Sequence, residues 1–155
     1  MLIQLFVGAG LLVVCVSLHV LVLEQITSRL QIISRRERIP SGLTYRVTLL
    51  IFAALGAFLS HIAQIWIWAV VYILLGEFDA VEPALYFSTV AFTTVGFGDI
   101  ILSQEWRLLT SFEAAAGLFL FGLSTAFLFE ILREIRLQRR TSAEANVSER
   151  GKNPH

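Results

Sequence analysis

The chain has 155 residues, 56% of them hydrophobic and only 15% charged, with a formal net charge of zero. Soluble domains run at roughly 45–50% apolar and about 25% charged, so both departures point to an all-α membrane protein and away from an ordinary soluble enzyme. The single cysteine, Cys15, excludes an internal disulfide and sits in an apolar run, where it reads as a buried thiol.

The first element, residues 1–23, has an apolar stretch from Leu2 to Leu23. A bilayer crossing needs about 20 apolar residues, so this stretch is a candidate span. No basic residue precedes it and no small-x-small cleavage pattern precedes Glu24, so it reads as a retained helix rather than a secretory signal. Segment 24–46 is a basic linker carrying Arg29, Arg35, Arg36, Arg38 and Arg46. Ile26, Leu30 and Ile33 among those arginines suit a short helix lying on the inner membrane surface. Arg35, Arg36 and Arg38 are then candidates for contact with anionic lipid. Pro40, Ser41 and Gly42 end that helix.

A second span is expected over 47–75, and a third over about 107–135. The first two contain no arginine or lysine, which leaves no voltage-sensing helix. His19 in the first span, and His61 and Gln64 in the second, read as polar packing contacts between helices. The tail 138–155 is polar, lacks apolar periodicity and is expected to be disordered.

Basic residues orient the chain. Arg107 is the one Arg or Lys between the second and third spans; the rest fall in the linker and beyond Leu132. The positive-inside rule therefore puts linker and C-terminus in the cytoplasm, and the N-terminus and residues 76–105 outside. Glu77, Asp79, Glu82, Asp99 and Glu105 make that outer segment acidic, a composition that concentrates cations over about a Debye length of ~8 Å.

Between the spans, Glu82-Pro83 followed by ALYFSTVAF spaces out as a short helix over 83–92 with proline first. Such a helix is about 15 Å long, half a bilayer. The next residues, Thr93-Thr94-Val95-Gly96-Phe97-Gly98-Asp99, alternate glycine with bulky side chains and return the chain to the outer side as a re-entrant loop. Irregular backbone at membrane depth survives where it is buried in protein or lines a watery path.

This TTVGFGD stretch resembles the signature of the potassium channel pore-domain family, in its small bacterial form with one pore loop per chain and in the halves of two-pore-domain channels. The resemblance covers roughly residues 47–135. It implies an outer helix, pore helix, selectivity filter 93–99 and inner helix, preceded here by one extra span and assembled as a homotetramer in the plasma membrane, for a bacterium the inner one. It also implies passive K+ conduction, with permeant K+ at Thr94, Val95, Gly96 and Phe97 and no other cofactor, enzymatic activity or nucleic-acid partner. Val95 and Phe97 are expected to point away from the axis and wedge against the pore helix.

Phe97 replaces the commoner tyrosine, Val90 stands where some bacterial relatives have glutamate, and Tyr86-Phe87 replaces a tryptophan pair. Glu113 is then a candidate modulatory acid, or a hydrogen-bond partner of Thr93 or His61. Gly117 and Gly122 are rival hinge or close-packing positions, and Phe127 or Leu128 a candidate hydrophobic gate. Glu113, Gly117, Leu120 and Ser124 share a helical stripe and are expected to line the cavity. A weakly selective cation channel is the nearest alternative. A potassium transporter subunit, whose relatives carry several diverged loops per chain, or a non-conducting membrane-interaction protein is the alternative from another class.

Overall fold

A computed structural model describes the backbone of residues 2–36 and 43–152, and the side chains of 2–29, 44 and 47–137. Four helices account for it: α1 (Leu2–Arg36), α2 (Leu43–Leu74), α3 (Val81–Phe92) and α4 (Leu108–Lys152). Among the described residues there is no strand. Leu2–Arg29, Val47–Leu74 and Leu108–Leu137 are each long and apolar enough to cross a membrane. The chain is thus a multi-pass, all-helical membrane protein.

The three long helices pack with α1 parallel to α4 and α2 antiparallel to both. Three contacts along their length set this arrangement. At the first end, Gln4 Nε2 donates to the Glu105 carbonyl, and Gly8 lies so close to Phe112 that a Cβ would stand 2.6 Å from its ring. In the middle, His19 meets Ser60 and Ser124. Toward the other end, Gly56 gives room to the Ile26 side chain. Small residues at such crossings let apolar helices approach closely where water supplies no drive. The N-terminal ends of α1 and α4 and the segment just before α4 therefore lie together, and the C-terminal ends of α1 and α4 lie at the opposite end.

The core sits between α2, α3 and the first half of α4. Trp68, Tyr72, Phe87 and Phe92 are fully or almost fully buried there, with Leu109, Ala116 and Leu120 from α4 and Cys15 from α1. Tyr72 and Phe87 meet edge-to-face, ring centres 5.3 Å apart, and Phe78 closes the group against both. Offset and edge-on aromatic pairs of this kind add about 0.5–1.5 kcal/mol beyond area burial.

Several boundaries differ from the sequence expectation. No separate surface helix follows the first span, because α1 runs unbroken to Arg36. The reason is packing: Leu23 is buried and Ile26 fills the space at Gly56, so α1 still has a partner beyond Glu24. The side chains of Arg35, Arg36 and Arg38, the candidate lipid contacts, fall outside the described residues. The short helix starts at Val81 rather than Pro83, with Glu82 and Pro83 both in its first turn. First-turn N–H groups have no helical acceptor, so proline is tolerated at any of these positions, and an acid there suits the helix dipole. Residues 138–152, expected to be disordered, continue α4 as helix. Glu, Gln, Arg and Ala are good helix formers, so extending a helix already nucleated costs little.

Candidate functional site

The segment after α3 has an alternating backbone. Thr94, Gly96 and Gly98 have φ of 60°, 57° and 75°, while Val95 and Phe97 between them do not take the left-handed region. Alternation between the two hands turns successive carbonyls to the same side, the arrangement needed to line an axis with oxygen. Neither glycine is there for space: a Cβ on Gly96 or Gly98 would meet nothing within 4 Å of this chain. The positive φ is the requirement, and glycine meets it without the clash of a Cβ against its own carbonyl. Thr94 takes the same conformation without being glycine. The sequence offers no sign of this third left-handed position.

The strand is tied to the end of α3 by main-chain bonds. The Thr94 N–H donates to the Ala91 carbonyl at 3.0 Å, and those of Val95 and Gly96 to the Val90 carbonyl at 3.1 and 3.3 Å. Val95 and Phe97 do not wedge against their own α3. The Phe97 side chain is 70% exposed and Val95 54%, so the expected wedge is absent within one chain. The physical reason is geometric: α3 meets this segment through main-chain bonds at Ala91 and Val90 and through Tyr86 at Asp99, contacts that leave these two side chains uncovered.

Two side-chain supports hold this loop. The Tyr86 hydroxyl, one residue into the replaced tryptophan pair, donates to Asp99 Oδ2 at 2.7 Å. That bond spans the whole loop and holds the Tyr86 phenol above its ordinary range. Glu77 fastens the outer segment in a similar way, accepting from the Ser103 N–H and hydroxyl, both at 2.7 Å. Two of the five outer acids are thereby engaged in structural ties.

The second support is Glu113, fully buried behind α3. Its partners are not Thr93 or His61. Tyr72 of α2 donates its hydroxyl to Oε2 at 2.6 Å, and Ser88 of α3 lies 2.5 Å from Oε1. Ser88 Oγ is also 2.8 Å from the Ile65 carbonyl. A serine has one hydroxyl proton, and a carbonyl can only accept. Both bonds at Ser88 are therefore made at once when Glu113 carries a proton and donates it. Thr93 instead donates to the Thr89 carbonyl, and His61 meets Ser124. Gly117, one turn further along α4, touches the last residue of α3: a Cβ there would fall 1.9 Å from the Phe92 carbonyl oxygen. Gly117 is thus a contact glycine.

A half-length helix, an alternating glycine strand and two flanking spans form a unit over α2 to α4. The profile of a family described as ion channel matches residues 48–134, more than half of the chain. The chain belongs to the ion channel family, in its two-span potassium-channel-type form. No curated protein and no solved structure matches it. The matched region holds most of α2, all of α3, the glycine strand and the first part of α4, and leaves out α1.

Within this channel the inner helix presents a different face from the one expected. Glu113, Gly117, Leu120 and Ser124 are buried against α1, α2 and α3 and do not line an open cavity. The exposed face carries Leu118, Phe119, Gly122, Thr125 and Phe129. The expectation missed because α2 and α3 cover Glu113 and Gly117, and α1 with α2 covers Ser124, packing that no motif announces. Phe127 and Leu128 are half-buried on the flank between the two faces. Gly122 has open space around its Cβ position. Among the described residues no group of three or more His, Cys, Asp or Glu could hold a metal ion.

Proposed function

We propose that this channel conducts K+ passively and selectively through four copies of the Thr94-Val95-Gly96-Phe97-Gly98 strand. The observation that carries this reading is the alternation of left-handed backbone at Thr94, Gly96 and Gly98. In a ring of four such strands, carbonyls of Thr94 to Phe97 and the Thr94 hydroxyl replace the water shell of a dehydrated K+. The C-terminal end of α3 aims its partial negative charge toward the inner side of the strand and favours a cation there. Adjacent ion sites then repel their occupants enough to keep binding from becoming a trap.

One chain supplies one loop, and an oxygen-lined path on an axis needs several. A cyclic homotetramer with head-to-tail contacts that close is the assembly that supplies them. The uncovered Val95 and Phe97 support this, since a neighbouring subunit is what can cover them. The basic linker and tail lie in the cytoplasm by the positive-inside rule, in the plasma membrane. In this reading Glu113 acts as a brace on the pore helix, and Gly122, rather than the packed Gly117, is the hinge of the inner helix, with Phe127 or Leu128 near the gate.

Weak selectivity is the rival reading, and Phe97 favours it: without a hydroxyl, this side chain cannot hydrogen-bond the strand to its surroundings. Flux from liposomes holding the purified protein, measured with K+ and then Na+ as the permeant ion, decides between them. We expect K+ flux well above Na+ flux. Equal fluxes would defeat selectivity, and no flux of either ion would defeat conduction.

A further inference from the structure

We propose that His19 of α1 is a latch on the inner helix, holding α4 through Ser124 and so setting how readily the channel opens. The inference rests on the reading of the chain as a conducting channel.

A buried polar cluster lies where α1, α2 and α4 meet. His19 Nε2 and His61 Nε2 both lie 2.9 Å from the Ser124 hydroxyl oxygen, and the two imidazoles stack with centres 4.7 Å apart. On its other side, His19 Nδ1 accepts from Gln64 Nε2 at 3.2 Å and lies 3.0 Å from Ser60 Oγ. A neutral imidazole that accepts at Nδ1 carries its proton on Nε2. His19 therefore donates to Ser124, whose one proton is left to donate to His61. The bonds form a directed chain from Gln64 of α2, through His19 of α1 and Ser124 of α4, back to His61 of α2.

Two features distinguish this cluster from plain packing. The first is that it is incompletely satisfied: His61 Nδ1 and Gln64 Oε1 are buried with no hydrogen-bond partner. Leaving a buried polar atom without a partner costs free energy, so a rearranged cluster that pairs these atoms lies close in energy. The second is its position on α4. The upper part of that helix is pinned to the pore helix by Glu113 and by the Gly117 contact with Phe92. Gly122 follows, with nothing near its Cβ position, and then Ser124. The latch thus grips the helix two residues past a glycine with open space beside it, on the side that a bend at Gly122 sets in motion. His19 lies outside the matched region 48–134, so this grip is an addition to the pore unit.

Single-channel recording from purified protein in planar bilayers tests the proposal with Ser124→Ala, His19→Phe, the double variant and Ser124→Thr. Interhelical hydrogen bonds in membranes are modest, so the closed-to-open ratio should change about threefold for each bond lost per subunit. We expect Ser124→Ala and His19→Phe to move it in the same direction, and the double variant to move it no further than Ser124→Ala. Ser124→Thr keeps the hydroxyl and should gate like the parent, with unitary conductance and K+ preference unchanged throughout. Parent-like opening in Ser124→Ala, or effects of the two single changes that simply add, would overturn the latch. Absence of K+ current in the parent itself would instead count against the proposed function.

Discussion

Two residues, Gly96 and Glu113, give the sharpest tests at the scale of single side chains. At Gly96 the backbone has φ of 57°, a conformation that costs an L-residue about 1–2 kcal/mol, and nothing crowds its Cβ position. Gly96→Ala should therefore leave the helices folded and damage only the strand. The expected result is native-like helical content by circular dichroism with K+ flux reduced at least tenfold. Glu113 makes a sharper case. A glutamine in its place can donate to Ser88 and accept from Tyr72, reproducing the proton-bearing acid. Glu113→Gln should keep K+ preference, whereas Glu113→Ala leaves the buried Tyr72 hydroxyl without an acceptor and Ser88 with the Ile65 carbonyl alone, and should lower thermal stability by about 1–3 kcal/mol. If proton sensitivity of the current survives unchanged in Glu113→Gln, the modulatory-acid reading of this residue is wrong.

Among the elements, α3 and α4 behave as one body because Gly117 lets a helix backbone touch a helix end. A methyl group at 1.9 Å from the Phe92 carbonyl oxygen cannot be accommodated without parting them. Gly117→Ala should cost about 1–3 kcal/mol as an overpacking change, read as a lower melting temperature in detergent. Gly122→Ala, with open space around it, should cost no stability and alter opening alone. This element scale also separates what was legible in the sequence from what was not. The motif at 93–99 could be read because its requirement is local: a positive φ at alternate residues selects glycine. The partners of Glu113 could not, since Tyr72 and Ser88 lie 41 and 25 residues away and are brought in by packing. The buried stripe through Ser124 was misread for the same reason, as its cover is brought in by packing: Tyr72, Ser88 and Phe92 at Glu113 and Gly117, and His19 and His61 at Ser124. Proline at 83 marked the pore helix without marking its first residue, because three first-turn positions tolerate it equally.

For the molecule as a whole, one chain leaves an apolar surface of the kind lipid or a neighbour must cover. Phe52, Phe58, Leu59, Leu118, Phe119 and Phe129 are all more than half exposed. Leu118, Phe119 and Phe129 belong to the free face of the inner helix, where the neighbouring subunit is expected. Cross-linking in membranes followed by denaturing electrophoresis should give a ladder ending at four chains. A ladder ending at two would require two loops per chain, which this sequence does not have. Charge at this face should disrupt assembly, and Phe119→Asp should shorten the ladder.

The uncovered Val95 and Phe97 have one more consequence, and it concerns time. A single chain, with no sibling beside it, already holds its helices, its brace at Glu113 and its tie from Tyr86 to Asp99, but the Val95 and Phe97 side chains of its glycine strand have nothing to lean on. On the proposed four-strand reading, ion preference is acquired only on encounter, last in the life history of the molecule. Chains caught alone should be whole by every measure of helix content and still be unable to tell one cation from another.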